Sequence, residues 1–237
     1  LGSNAVLRIE LDGSLTTAAP GLVINAPGSP VTVLGLSIYR FGTGIVTQGP
    51  GDALYHIVGN FIGLRADGSA APAGQLAGVS VQGGTTLIGD ATAAGMNVIS
   101  GNGQQGITIQ SVPALAGAVV RGNLIGTTPS GLVPMPNGLQ GIIATTATQI
   151  QGIVIGGAAI DARNVISGNA QDGIRFDCVA TSGNCFDGAR VIDVERIPYA
   201  HPFTHDILPA SSTGTYFAGG ALIGSTLFGQ VNVGSPR

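Results

Sequence analysis

The six residues NVISGN occur at 97–102 and again at 164–169, and each copy lies inside a longer stretch that repeats with it. GNFIG (59–63) is followed by Gly68 and Gly78-Val79, and GNLIG (122–126) is followed at the same offsets by Gly131 and Gly141-Ile142. Likewise LIG (87–89), NVISGN and GITIQ (106–110) recur as VIG (154–156), NVISGN and GIRFD (173–177), so the period is 63 to 67 residues. A period of this size restricts the chain to stacked units, each of which buries its apolar side only against its neighbours.

Within one period, apolar runs of four or five residues alternate with Gly, Asn, Pro and Ser, a pattern of short strands and not of helices. The runs fall into triplets. They read LVINA (22–26), VTVLG (31–35), LSIYR (36–40); GIVTQ (44–48), LYHIVG (54–59), NFIG (60–63); and GVSVQ (78–82), TTLIG (85–89), NVISG (97–101). Two more follow: GITIQ (106–110), GAVVRG (117–122), NLIGT (123–127); and GIIAT (141–145), GIVIGG (152–157), NVISG (164–168). VLRIEL (6–11) closes the triplet before these. Three short strands per turn predict a solenoid, with Ile107/Ile109, Ile142/Ala144, Val79/Val81 and Ile174/Phe176 stacked inward and the alternate residues facing out.

The GNxIG and NVISGNxxxGI segments resemble those of the right-handed parallel β-helix repeat proteins of the pectin-lyase-like group, over about residues 6–177. The resemblance implies an all-β, right-handed parallel β-helix with three strands per rung. The expected organisation is a single domain over 1–237: regular rungs over about 6–177, an irregular insertion over about 178–218, and a possible return to the coil over 219–237. Asn60, Asn97, Asn123 and Asn164 start the third strand of successive rungs. Asparagine suits a bend because it tolerates left-handed backbone and bonds its own main chain, and stacked copies can bond along the ladder. The motif is therefore expected to be scaffold.

Composition agrees with a narrow coil. Forty of 237 residues are glycine, against roughly 7% in ordinary chains; aromatics are 5% and tryptophan is absent, which suits an interior without room for large rings. Charged residues are only 9%, and all nine basic residues are arginine. A net charge of -3 without a basic cluster argues against a nucleic-acid partner. No apolar run approaches the ~18 residues of a membrane span. The first residues, LGSNAVLRIELDGS, lack the basic and long apolar regions of a signal peptide, and the chain reads as one that begins partway through a repeat.

Two places are candidates for function. Segments 64–77 and 127–140 lie between a third strand and the next first strand, two rungs apart. They are expected to project side by side, about 10 Å apart, and to wall the first-strand sheet. The outward residues of that sheet are Val46/Gln48, Ser80/Gln82, Thr108/Gln110, Ile143/Thr145 and Arg175/Asp177. Of these, Gln48, Gln82, Thr108, Gln110 and Thr145 are the expected carbohydrate-binding groups, with a solvated face as the plainer alternative.

The second candidate is the stretch 172–206, which holds six of the twelve acids (Asp172, Asp177, Asp187, Asp193, Glu195, Asp206), two of the three histidines and both cysteines. Cys178 and Cys185 are expected to form a disulfide in an oxidising compartment, worth about 2–3 kcal/mol; their spacing is a poor zinc signature. His201, His205 and Asp206 are weak metal-ligand candidates, since Pro202 opposes a helix that would align the histidines. Enzymes of the resembling group cleave acidic polysaccharides with clustered carboxylates or with calcium and an arginine base, which makes Arg175, Asp177 and Asp172 the catalytic candidates. The polygalacturonase-type segments Asn-Thr-Asp, Asp-Asp, Gly-His-Gly and Arg-Ile-Lys are absent, and His56 is expected to cap or flank a strand. An extended chain would put Asp172 and Asp177 on the order of 16 Å apart, too far for a glycosidase pair at about 5–10 Å. An arginine base would also need a lowered pKa, against which a neighbouring aspartate acts.

The sequence thus predicts a secreted or cell-surface module with a structural, adhesive or carbohydrate-binding role. A polysaccharide lyase or glycoside hydrolase is the alternative, with calcium as its possible cofactor if a lyase. A polysaccharide or cell-surface glycan is the expected partner, and end-to-end self-association is possible through an exposed end rung. Ice binding by a threonine array is disfavoured because TTATQ and TTLIG form no regular Thr-x-Thr column.

Overall fold

The computed structural model describes residues 2–111, 115–146, 152–157 and 159–178, together with the backbone of 215–218 and 221–224. After β1 (Ile9–Asp12), five full rungs follow in order. They are β2 (Pro20–Asn25), β3 (Val31–Leu34), β4 (Leu36–Tyr39); β5 (Thr43–Gln48), β6 (Leu54–Val58), β7 (Phe61–Ile62); β8 (Ala77–Val81), β9 (Gly84–Ile88), β10 (Val98–Ile99); β11 (Ile107–Ser111), β12 (Leu115–Val120), β13 (Leu124–Ile125); and β14 (Ile142–Thr146), β15 (Ile153–Ile155), β16 (Val165–Ile166). β17 (Ile174–Cys178) opens a sixth rung.

These strands form three parallel sheets: first-strand order β17-β14-β11-β8-β5-β2, second-strand order β15-β12-β9-β6-β3, and third-strand order β1-β4-β7-β10-β13-β16. The protein is a parallel β-helix with three strands per rung, as the triplets predict. β18 (Thr215–Ala218) and β19 (Ala221–Gly224) pair with each other, antiparallel. Most of the expected insertion and of the expected return to the coil lies outside the described residues.

The inward columns are those expected. Val79, Ile107 and Ile142 stand in register, as do Val81, Ile109 and Ala144, and all six are fully buried. The third sheet adds Ile38, Ile62, Ile99 and Ile125, each fully buried. Each rung thus offers only half an apolar coat and depends on the rungs above and below for the other half.

Large rings are not wholly excluded from the coil, contrary to expectation. Tyr55 is fully buried; its hydroxyl donates to the Gln48 carbonyl and accepts from Ala26 N–H at 3.1 Å. Two glycines make its space: a Cβ on Gly84 would lie 2.8 Å from the ring, and one on Gly49 would lie 2.8 Å from the hydroxyl. His56 lies within β6, not at its end, with its Nε2 buried and without a hydrogen-bond partner among the described residues.

The asparagines form a buried ladder. Asn97 Nδ2 donates to Asn123 Oδ1 (2.9 Å) and to the Ile57 carbonyl (2.8 Å), while Asn60 and Asn123 donate to Asn97 and Asn164 in the same way. The left-handed residue at this bend is the preceding glycine, Gly59 or Gly122, and not the asparagine. The last residue of NVISGN builds a second ladder at the other margin of the third sheet: Gln75 donates to Asn102, Asn102 to Asn137 and Asn137 to Asn169, over 2.7–2.8 Å. Both asparagines of the motif are therefore structural, one at each border of the same short strand.

Segments 64–77 and 127–140 do not wall the first sheet as expected. Leu64, Ala66 and Met135 pack instead on the outer face of the third sheet, against Phe61, Val98 and Leu124. Leu7 joins them, and Ser3 N–H bonds the Pro129 carbonyl at 2.8 Å. The reason is in the outward positions of β7, β10, β13 and β16, which are Phe61, Val98, Leu124 and Val165 and need a cover. The two segments meet where a Cβ on Gly68 would lie 2.6 Å from Pro129.

Candidate functional site: the outer face of the first sheet

Strand alternation places one set of first-sheet residues in the core and the other outside. Pairing aligns Val46 with Ser80, Ser80 with Thr108, Thr108 with Ile143, and Ile143 with Arg175 in one outward row. Two residues further along each strand lie Gln48, Gln82, Gln110, Thr145 and Asp177, the last three paired in register. The five expected carbohydrate-binding residues, Gln48, Gln82, Thr108, Gln110 and Thr145, thus share this face and are all partly exposed. Between them the row of Val46, Ser80 and Ile143 is 5%, 7% and 9% exposed.

The amides are held before any ligand arrives. Gln48 Nε2 donates to Gln82 Oε1 at 3.0 Å, and Gln82 Nε2 donates to the Ser80 hydroxyl at 3.1 Å. A glutamine carries two donor hydrogens and a two-lone-pair acceptor, so each keeps capacity for a further partner after these bonds. At the bend that leads into the first strands, a further glutamine chain runs along the axis. Gln105 donates to Gln140 at 3.5 Å, and Gln140 donates to Gln171. Sequence reasoning missed this chain, although QQGI, LQGI and QDGI before successive first strands carried its signal.

Charge enters only at the last rung. Arg175 Nε donates to both carboxylate oxygens of Asp177 at 2.9 Å, and its Nη1 stands 3.8 Å from Asp172. One planar guanidinium thus stands between the two carboxylates. The extended-chain separation of roughly 16 Å is thereby corrected, because the chain bends at Gly173 before entering β17. The hydrogen bond donated to Asp177, followed by the charge of that carboxylate, raises the Arg175 pKa above the ordinary arginine value. That is the wrong direction for an arginine that must lose a proton. The Arg175 cation beside Asp172 and Asp177 weakens the attraction of these two carboxylates for a calcium ion.

Cys185, His201, His205 and Asp206 lie outside the described residues, as does the side chain of Cys178; the expected disulfide and the weak metal candidates fall there. Among the described residues, no helix is long and apolar enough to cross a membrane.

No family model, curated protein or solved structure matches this chain.

Proposed function

We propose that this β-helix is a binding module, secreted or cell-surface, whose first-sheet face holds a polysaccharide or cell-surface glycan without cleaving it. The observation that carries this reading is the in-register run of amides and hydroxyls, with Gln48, Gln82 and Ser80 fixed in one hydrogen-bond chain. Fixed polar groups on a rigid scaffold lose little freedom when a ligand binds. A hydroxyl-rich polymer presents donors and acceptors at short intervals, which amides can match in both senses. The pectin-lyase-like resemblance adds to this reading through the spacing of the repeats.

The test is retention of the protein on a panel of immobilised neutral and acidic polysaccharides, with the same polymers assayed for unsaturated uronate and for new reducing ends. Retention without product is expected. Absence of retention on every polymer would overturn the reading.

A second reading, hydrolysis of an acidic polysaccharide, is favoured by one observation: Asp172 and Asp177 both stand at the Arg175 guanidinium, closer than an extended chain would put them. Product that disappears in Asp172→Asn and Asp177→Asn would establish it in place of the first.

A further inference from the structure

The charge pattern of this face selects among polysaccharides, and the selection rests on the binding reading above. Across four rungs the outward residues are Val46/Gln48, Ser80/Gln82, Thr108/Gln110 and Ile143/Thr145, without a charged group among them. On the fifth, Asp172 and Asp177 enclose Arg175, so the triad carries a net -1 and its cation already has two anionic partners. A polyanion laid along the face would give up water from its carboxylates or sulfates against amides alone. It would then meet excess negative charge at the terminal rung. Removing a charge from water without a counter-charge is among the costliest steps in recognition.

An uncharged polymer meets neither obstacle. Its hydroxyls pair with the amide donors and acceptors, and no charged group has to leave water. An extended peptide is a poorer fit, because strand addition uses free backbone at a sheet edge and this face exposes side chains. We infer that the ligand of the first-sheet face is a neutral polysaccharide, bound through Gln48, Gln82, Gln110 and Thr145.

The experiment measures binding of the whole chain to a soluble neutral β-glucan, a neutral xylan and polygalacturonate, at low and at high salt. The proteins are the wild type, Gln82→Ala with Gln110→Ala, and Ile143→Arg, each checked for unchanged circular dichroism. Expected is binding to a neutral polymer with an affinity that salt leaves unchanged, about tenfold or more tighter than for polygalacturonate. The double glutamine variant should lose it by a similar factor, and Ile143→Arg should shift preference toward polygalacturonate. Equal or tighter binding of polygalacturonate by the wild type overturns the neutral assignment while leaving the binding reading intact. Neutral binding that ignores all three substitutions overturns the site. Binding to none of the polymers overturns the binding reading itself.

Discussion

The first and third sheets are built by the same rungs, yet their outer faces differ in kind. The third carries Phe61, Val98 and Leu124 outward and is roofed by Leu7, Leu64, Met96 and Met135. The first carries glutamines, threonines and a serine outward beside Val46 and Ile143, and among the described residues no comparable apolar cluster covers them. The coil interior is indifferent to this choice, since inward residues alone build the core. Outward chemistry is therefore free to vary, and each apolar outward row obliges the chain to spend a segment covering it. The third face contributes to stability through its cover, whereas the first leaves its polar side chains partly exposed.

The strongest way to test this contrast is to empty the roofed face. Leu124→Ala removes a fully buried side chain between Phe61, Val98 and the covering segment; a loss of about 3 kcal/mol is expected from the urea midpoint. The same truncation on the first face, Ile143→Ala, should cost less, about 2 kcal/mol, because the side chain is 9% exposed yet belongs to neither core cluster. Equal losses would break the comparison.

Nearly as large is the expected effect of Asn137→Ala, which strips Asn102 of an acceptor and Asn169 of a donor in a fully buried ladder. About 2–3 kcal/mol should be lost. Hydrogen exchange should report the opening at β10, β13 and β16 before β11 and β14. Gly84→Ala probes the space reserved for Tyr55: φ is +67° and the new Cβ would meet the ring at 2.8 Å. A cost of about 2–3 kcal/mol follows from the left-handed backbone and the overpacking together, measurable as a lower thermal midpoint.

Arg40 gives a smaller effect of opposite sign. It occupies a left-handed position (φ 67°), and the corresponding residues two and four rungs later are Gly101 and Gly168, also left-handed. Arg40→Gly should relieve about 1 kcal/mol of backbone strain while losing a part-exposed ion pair to Asp12 at 3.4 Å, a contact worth roughly 0–1 kcal/mol. A net gain of a few tenths of a kcal/mol is expected in the urea midpoint. Smallest of all, Gln82→Ala should leave stability within about 0.5 kcal/mol, which is what a surface kept for binding and not for folding requires.

The strands were legible because each rung announces itself locally: an alternating apolar run, then a glycine or asparagine bend. Every triplet from LVINA to GIRFD overlaps a strand in the structure. The first asparagine of NVISGN was legible as scaffold for the same reason. The second ladder was not read, since Gln75 and Asn137 lie outside the motif that carries Asn102 and Asn169, and the four become neighbours only when the rungs stack. The candidate site divides in the same way. Outward positions followed from strand parity, whereas the Gln105–Gln140–Gln171 chain and the approach of Asp172 to Arg175 depend on how the chain bends between sheets.

By itself, then, the sequence determined the rung, its three strands, the inward columns and the outward amide row, because a period-2 strand and a glycine bend are local properties repeated at a fixed interval. Tertiary structure alone decided which outer face is roofed. It also let two glycines admit Tyr55 to the interior and bound Arg175 between two carboxylates. Those outcomes depend on atoms far apart in the chain meeting at van der Waals or hydrogen-bond distance, and no local pattern records such meetings.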